Sequence, residues 1–500
     1  MKTIYKTLPL AALLVASGCN KKFLDKQPLG QSTEASYYKT DADMISAVNA
    51  AYDPLGWESS GNTANVFFNF FFGDIASDDA IAGGNGSEAR IVPYAEFTVN
   101  SQDVGLLELW KKYYIGIYRT NLVLTKAPES SASESTKKRV TGEAKFLRAF
   151  YYFKLVEMFG DVPLITSILT ADQYKQAKTP KSVIYSQIEA DLIDATLNLP
   201  AVQGEPGRAT SGAAQGLLAR VSMFQAKWLQ TKEAAERVIS SGVYALETDY
   251  NNIFAVNNKN GKESVFEIQA SSATIVGDER QNEGTFINKY MDPRDQGGFG
   301  VNVPSPELIK AFDDEAAKWG KVDPRKKATV ISNGDTVSGN VITTKNGEDL
   351  KVPGVNYYNR KYYVSPLTFS GTQTNGPSNQ KVIRLADVYL MAAEAYFNLG
   401  ADSMAIKYVN IVRKRVNMPL LKSADYSGET LRQAIWQERR IELAMESLRF
   451  FDIVRQGRSA ELIKATAEGK NFQKGKNEVF PIPQSEIDLS GGLLIQNPSY

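Results

Sequence analysis

The stretch GEAKFLRAFYYFKLVEMFGDVPL, residues 142–164, decides how the centre of this chain folds. It carries six aromatic rings between Glu143 and Phe159, and its apolar residues recur at intervals of three and four, which predicts an α-helix. Two adjacent apolar stripes make that helix apolar nearly all round, as is typical of a helix buried between neighbours. Gly160 and Pro163 predict its end. We therefore interpret the rings as core rather than as a cofactor box or a binding platform.

Helical periodicity extends over two blocks of the chain, at about 105–243 and 382–457. Besides the opening stretch, the predicted helices are Gly105–Ala127, Ser182–Leu199, Ser211–Gln230, Glu233–Ser240, Val382–Leu399, Asp402–Val416 and Glu429–Arg455. The lengths and spacing of these segments predict helices that pack in pairs.

One of these pairs matches the tetratricopeptide pattern. In ADVYLMAAEAYFNLGADSMAIKYVNIV, residues 386–412, Ala393, Tyr396, Gly400 and Ala405 fall at successive gaps of 3, 4 and 5. Small, aromatic, glycine and alanine positions at those gaps let two antiparallel helices approach closely. The expected fold class is therefore mainly α, with tetratricopeptide-like helix pairs as the scaffold.

The segments 57–104 and 244–381 are rich in loop signals. ESVFEIQA, residues 263–270, predicts a short strand, and VISNGDTV (330–337) and TTKNGEDL (343–350) each place Asn-Gly between possible arms of a tight hairpin. Long loops on a helical scaffold are where binding usually occurs. We therefore expect the ligand-binding portion in these two segments.

The bulk composition excludes several functions. The chain of 500 residues contains no histidine, which removes Ser-His-Asp catalysis, His-ligated zinc and imidazole acid–base chemistry. Hydrolysis by two carboxylates needs only Asp or Glu and stays open. The formal net charge of +1 gives no field for attracting nucleic acid, so no nucleic-acid partner is expected.

The N-terminus predicts export. Lys2 and Lys6 precede a short apolar run that is typical of a secretory signal peptide, here residues 1–18. Cys19, the single cysteine, follows the small residues at 16–18, as in the sequence that precedes a lipidated cysteine in bacterial lipoproteins. The alternative is ordinary signal cleavage next to an incidental cysteine. We predict a lipid anchor on Cys19, followed by a linker at 19–26 and a single domain at 27–500.

The stretch QERRIELAMESLRFFDIVRQG, residues 437–457, could hold paired catalytic carboxylates. However, Glu446–Arg449 and Asp452–Arg455 are both spaced i,i+3, and a neighbouring arginine keeps a carboxylate ionised, which is the wrong state for a general acid. We therefore predict a structural ion network between packed helices.

Two adjacent carboxylates stand just before a glycine-rich stretch. In GDIASDDA, residues 73–80, Asp78 and Asp79 either contact a ligand, such as sugar hydroxyls or a cation, or cap a turn. The residues alone leave both readings open.

A sugar-binding mechanism is available to the loop-rich segments. An aromatic face stacks on a pyranose while polar side chains hydrogen-bond its hydroxyls. Rings that the helical blocks leave uncommitted are Trp57, Tyr94, Tyr290, Phe299 and Trp319. The predicted ligand-binding residues are Asp79, Asn85, Arg90, Tyr94, Arg280, Tyr290 and Trp319, which we expect to converge in one shallow site away from the tetratricopeptide-like helices. No metal site and no cofactor are predicted.

Several motifs in order resemble the SusD/RagB family of outer-membrane nutrient-uptake lipoproteins. They are SGC (17–19), FLDKQP (23–28), GDIASDDA (73–80), IYRTNLVL (117–124), the opening stretch, ESVFEIQA (263–270), VPSPELIKAFD (303–313), VIRLADVYLMAAEAY (382–396), VNIVRKRV (409–416), ERRIELAMESLRFFDIVRQG (438–457), FPIPQSEI (480–487) and QNPSY (496–500). Together these motifs cover essentially the whole mature chain.

The resemblance implies a non-enzymatic, lipid-anchored protein of the outer membrane that faces the outside. Such a protein captures nutrient oligosaccharides and passes them to a SusC-like TonB-dependent transporter. The alternatives are a RagB-like peptide-binding lipoprotein and a glycoside hydrolase that uses two carboxylates.

Overall fold

The computed structural model describes residues 37–56, 72–83, 90–272, 284–343, 357–365 and 375–500. The signal peptide, Cys19, Trp57, Asn85 and Arg280 lie outside these described residues, as does most of the second Asn-Gly stretch at 343–350. Predictions on those positions stay predictions.

A stack of antiparallel helices forms the scaffold. Its members are α1 (Asp41–Gly56), α4 (Val104–Glu129), α5 (Glu134–Phe159), α6 (Lys181–Asn198), α7 (Ser211–Phe224), α8 (Trp228–Ser240), α12 (Leu385–Asn398), α13 (Asp402–Arg415) and α14 (Gly428–Leu443). Short connections make sequence neighbours pack as pairs, and α8 packs on α12 to join the two helical blocks. The mainly α, tetratricopeptide-like fold is confirmed.

Helix α5, which contains most of the opening stretch, lies at the centre of the largest hydrophobic core. Its six rings are all buried, and α4 and α6 flank it on two sides. The hydroxyl of Tyr152 donates to the carbonyl of Ile165 at 2.9 Å, so its buried polar end is satisfied. Gly160 caps the helix with a φ of 71°, a backbone region that favours glycine. The rings are core, as predicted.

Two predicted boundaries in the C-terminal block were wrong. Val382–Leu399 is not one helix, because β8 (Gln380–Arg384) pairs with β2 (Ser264–Ile268) before α12 begins. An apolar run cannot distinguish a buried strand from a buried helix by periodicity alone. The strand predicted in ESVFEIQA is confirmed as β2.

Glu429–Arg455 is also interrupted, because the chain leaves α14 at Leu443 and re-enters a helix as α15 (Arg449–Arg455). Met445 and Ser447 in the intervening turn have positive φ values of 63° and 62°. The N–H of Ser447 donates to Asp74 at 2.9 Å, which ties this turn to α2 (Phe72–Ile75). Contact with a segment far away in sequence therefore breaks the helix.

The break predicted near residue 231 lies earlier, at 225–227, between α7 and α8. The smaller helices are α3 (Val92–Ala95), α9 (Ile287–Met291), α10 (Pro306–Trp319), α11 (Pro324–Thr329), α16 (Ser459–Ala465) and α17 (Gln484–Leu489). Sequence analysis missed α1 and α10, although Ser305 is an N-cap that accepts from Leu308 N–H at 3.0 Å.

The remaining strands form short antiparallel pairs. β1 (Ala80–Gly83) pairs with β3 (Val301–Pro304), β4 (Val330–Ser332) with β7 (Tyr357–Asn359), and β5 (Thr336–Val337) with β6 (Asn340–Val341). The hairpin predicted at Asn333-Gly334 is wrong in position. The tight hairpin turns at Ser338-Gly339, whose φ values of 49° and 85° suit a two-residue turn, while Asn333-Gly334 makes a separate turn before β5.

Candidate functional site

Four charged side chains join the start of β1 to the C-terminal helices. Arg449 donates from Nε and Nη2 to the two carboxylate oxygens of Asp78, at 2.7 and 3.0 Å. Arg440 donates from Nε to Asp79 at 2.7 Å and lies 3.0 Å from Asp78. Bidentate pairs of this kind fix both partners in orientation. We call these four residues the Asp–Arg cluster.

The two carboxyl groups of this cluster differ in their affinity for protons. Burial alone would raise the pKa of Asp78, but the charges of Arg449 and Arg440 hold it well below its usual range. Burial raises the pKa of Asp79 and outweighs Arg440 and Arg449, while the charge of Asp78 adds to the rise. The charges of the two arginines therefore favour the ionised form of Asp78.

The predicted ion network in the C-terminal stretch is confirmed as structure, with one pair corrected. Asp452 accepts from Arg455 at 2.8 Å, as predicted, and from Arg439 at 2.7 Å. The i,i+3 pair Glu446–Arg449 is not formed, because Glu446 instead accepts from Arg384 and Arg449 turns to Asp78. The break after α14 rotates the two residues apart.

A further buried carboxyl supports the base of the loop-rich region. Asp74 accepts from Asn302 on β3 at 3.2 Å and from the N–H of Ser447. Burial raises the pKa of Asp74 to about 8, and the charge of Asp79 contributes. The Oδ1 of Asn302 is buried without a partner, and turning its amide over would let that oxygen accept a proton held by Asp74.

Two predicted ligand contacts must be withdrawn because their side chains are inaccessible. Asp79 is 1% exposed and is held by Arg440. Tyr94 is 2% exposed, and its hydroxyl donates to Asp103, the N-cap of α4. Neither reading left open for GDIASDDA describes these side chains, because the carboxylates of Asp78 and Asp79 are buried and pair with arginines of the C-terminal helices.

Tyr290 and Phe299 lie together on the loop-rich side of the molecule. Their ring centroids are 5.3 Å apart and nearly perpendicular, and Lys289 Nζ lies 4.8 Å from the Phe299 ring. Both rings are partly buried against the main core. We call Tyr290, Phe299 and Lys289 the aromatic corner.

The described residues that flank several loop-rich segments lie close together near the aromatic corner, around β3. Gly83, the residue before 84–89, pairs with Val301, and β7, which follows 351–356, packs on β3. Thr285 and Gly376 exchange backbone hydrogen bonds at 2.9 and 2.7 Å, which joins the residues that follow 273–283 and 366–374. The described residues that flank these segments therefore lie in one neighbourhood.

Trp319 lies against different neighbours from Tyr290. Its Nε1 donates to Glu315 at 2.8 Å, and the guanidinium of Arg413 lies 4.7 Å from its ring. It packs on a smaller hydrophobic cluster that includes Tyr250 and Met418.

The side chain of Arg90, two residues before α3, is exposed. Ligand contact by Tyr290, Trp319 and Arg90 stays a prediction.

A cleft of about 580 Å³ opens beside Trp319, between α10, α14 and α16. Its walls carry Tyr426 and Trp436, and Arg440 and Arg449 of the Asp–Arg cluster line it as well. We call it the arginine cleft. Sequence analysis missed it because its residues come from separate segments, and the charges of 437–457 were interpreted only as an ion network.

A second concavity, of about 710 Å³, runs along α4 and is mainly apolar. It is lined by Trp110, Tyr114, Tyr118, Tyr174 and Leu489, among others. Tyr118 is 53% exposed and Tyr174 is 69% exposed, so two of its rings face solvent. The sequence assigned the rings of α4 to the core, and periodicity alone could not show which of them lie at its edge.

The described residues contain no group of three or more Cys, Asp or Glu side chains placed to hold a metal ion. Among described helices, none is long and apolar enough to cross a membrane.

Outside the Asp–Arg cluster, burial raises the pKa of two further carboxyl groups, Asp74 and Asp292, and both lie in the interior. Burial raises the pKa of Glu468 to about 7, and this group, which accepts from Ala82 N–H, is only partly buried.

Comparison with known proteins gives two matching sequence profiles. The SusD family matches residues 262–500, and the family described as starch-binding associating with outer membrane matches residues 22–223. SusD-like protein P2 of Formosa agariphila is 28% identical over 515 residues, which cover 99% of each chain. Starch-binding protein SusD of Bacteroides thetaiotaomicron is 28% identical over 450 residues, which cover 77% of this chain and 76% of that protein.

Solved structures agree in fold. A laminarin-binding SusD-like protein superposes with a TM-score of 0.78 at 32% identity, covering 93% of this chain and 100% of that chain. Surface glycan-binding protein A of Bacteroides thetaiotaomicron superposes with a TM-score of 0.77 at 24% identity, over 92% and 100% of the two chains, a likeness in fold alone. Helix pairs that carry a loop-rich face define a tetratricopeptide-like scaffold protein. Within that class, the chain belongs to the SusD family.

Proposed function

We propose that this protein is a non-enzymatic, lipid-anchored binding protein of the outer membrane that captures oligosaccharides outside the cell and passes them to a SusC-like TonB-dependent transporter. The observation that carries the proposal is the likeness, over nearly the full length of both chains, to a laminarin-binding relative at 32% identity. The same relative makes laminarin the first ligand to try.

The loop-rich side is the proposed binding face. Tyr290 and Phe299 form an aromatic pair there, and Lys289 adds a cation at its edge. An aromatic ring stacks on the C–H face of a sugar, while polar side chains hydrogen-bond its hydroxyls. A single stacked sugar contributes about 1 kcal/mol, so we expect affinities that are micromolar or weaker.

Calorimetric titration with laminarin oligosaccharides tests the binding face. The Tyr290→Ala variant removes one ring of the pair and should weaken binding about fivefold or more, since a ring contact worth about 1 kcal/mol corresponds to roughly that factor. Circular dichroism should stay unchanged, because Tyr290 is only partly buried.

Tyr118→Ala is the matched control, since Tyr118 presents an exposed tyrosine in the apolar concavity along α4. It should bind laminarin oligosaccharides as the unmodified protein does. Normal affinity in Tyr290→Ala together with lost affinity in Tyr118→Ala would move the binding face to α4.

The transporter partnership calls for a separate experiment. Affinity purification of the full-length protein from outer membranes should recover a TonB-dependent barrel protein in a saturable complex. Recovery of the protein free of any such barrel, from membranes that contain one encoded beside it, would contradict the partnership and leave glycan binding untouched.

A further inference from the structure

The arginine cleft offers hydrogen-bond donors that the fold does not use. Arg440 and Arg449 donate through Nε and Nη2 to Asp78 and Asp79, and these bonds leave the Nη1 group of each arginine with no acceptor among the described residues. Their side chains are only 11% and 7% exposed, yet both line the cleft. Two fixed arginines, each with an unused Nη1 group, therefore border a water-accessible space.

The mouth of the cleft adds two cations. Arg458 lies 5.7 Å from the Trp436 ring, and Lys318 lies 5.4 Å from the Tyr426 ring. Arg458 forms an ion pair with the exposed Glu461 at 3.8 Å, which is beyond hydrogen-bond distance and, on the surface, weak. Arg458 is therefore available to a ligand.

The carboxylates that line the cleft are largely engaged elsewhere. Glu315 accepts from Trp319 Nε1 and lies 3.7 Å from Arg413, and Glu429 accepts from Arg432. Asp425 lines the cleft as well. Burial raises the pKa of Asp79, which accepts from Arg440 beside the cleft.

We propose that the arginine cleft is a second sugar-binding site, which takes the oxyanion of an acidic sugar, a uronic carboxylate or a sulfate ester. The unused Nη1 group of each of Arg440 and Arg449 can donate to an oxygen of such a group, and Arg458 closes over it. Tyr426 and Trp436 provide apolar ring surface for the sugar itself. This site is separate from the aromatic corner and adds an acidic class of ligand to the proposed function.

Glucuronate, glucose 6-sulfate and glucose are the probes, titrated into the full protein by ligand-observed NMR. At least one of the two acidic probes should bind at least tenfold more tightly than glucose, and its affinity should fall as salt is raised from 50 to 300 mM, roughly, because the contact is ionic. The acidic probe that binds identifies the oxyanion. Equal weak binding of all three probes would overturn the proposal.

The variant Arg458→Gln tests the site itself without disturbing the Asp–Arg cluster. It should weaken binding of the acidic probe about tenfold, while Arg119→Gln, at a similarly exposed arginine that pairs with Asp53 and does not line the cleft, should leave it unchanged. Unchanged binding in Arg458→Gln would place the acidic probe elsewhere and refute the assignment. Laminarin titration of the unmodified protein, run in parallel, reports separately on the proposed function.

Discussion

Arg449 and Asp78, 371 residues apart in the chain, meet as a buried bidentate pair. Asp78 precedes β1, which leads directly into the loop-rich face, and Arg449 begins α15 in the C-terminal helical block. One ion pair therefore joins a strand of the loop-rich region to the scaffold. The same arginine lines the cleft to which we assign an acidic sugar.

Removing Asp78 should destabilise the protein strongly. The variant Asp78→Ala leaves Arg449 buried without its partner, and breaking a buried pair in this way costs about 3–5 kcal/mol. Equilibrium urea unfolding measures this loss.

Asp53→Ala is the control for a surface pair, since Asp53 lies 2.6 Å from Arg119 at a half-exposed position. It should cost under about 1 kcal/mol. Equal free energies of unfolding for the two variants would contradict the structural role of the Asp–Arg cluster.

The raised pKa of Asp74 predicts that the stability of the protein depends on pH. Because burial raises its pKa in the folded state to about 8, against about 3.8 when unfolded, its contribution is complete below about pH 4 and is lost as the pH rises through about 8. Asp74→Asn keeps an uncharged side chain of the same shape and should remove this loss. The Tm of the variant should therefore fall less than that of the unmodified protein between pH 5 and pH 9, roughly.

The exposed carboxylate variant Asp53→Asn should follow the unmodified protein over the same pH range. An Asp74→Asn curve parallel to that of the unmodified protein would show that Asp74 is ionised in the folded state at neutral pH.

Gly116 allows α4 and α5 to approach closely. A Cβ at this position would overlap the Tyr151 ring, which cannot easily move because its hydroxyl donates to the Ala51 carbonyl at 2.7 Å. Gly116→Ala should therefore cost about 1–3 kcal/mol, despite the better helix propensity of alanine. Gly204→Ala, with open space around the added methyl group, should be neutral within about 0.5 kcal/mol, as thermal unfolding would show. A stabilised Gly116→Ala variant would contradict the packing described.

The lipid anchor is tested in cells. If Cys19 carries the acyl chains, Cys19→Ala should release the protein from the membrane fraction, since among the described residues no helix could span a bilayer in its place. Sedimentation with outer membranes after a high-salt wash would show that another contact retains the variant.

Local patterns predicted the scaffold, while contacts between distant residues escaped them. The rings of α5 repeat at helical spacing, so their burial follows from the sequence. The partner of Glu446 does not, because a turn with positive φ at Met445 and Ser447 redirects the chain toward Asp74. No sequence spacing encodes that contact.

Two predictions of binding residues failed for the same reason, because contacts between distant residues decide which side chains are accessible. The interpretation of Tyr94 as an uncommitted ring rested on its loop-like surroundings, but its hydroxyl donates to the N-cap of α4 and the ring is core. The arginine cleft required the opposite correction. Arg440 and Arg449 belong to an ion network, as predicted, although Arg449 pairs with Asp78 and not with Glu446, and the Nη1 group of each has no acceptor among the described residues.

The central claim is that this member of the SusD family binds oligosaccharides without cleaving them. Calorimetric titration with laminarin oligosaccharides, followed by chromatography of the same mixture after prolonged incubation, tests it most directly. We predict saturable binding at micromolar or weaker affinity, with every oligosaccharide recovered at its original length. Shortened products would contradict the claim by identifying a hydrolase, for which Glu468, partly buried and with a pKa of about 7, would be the first carboxyl group to replace.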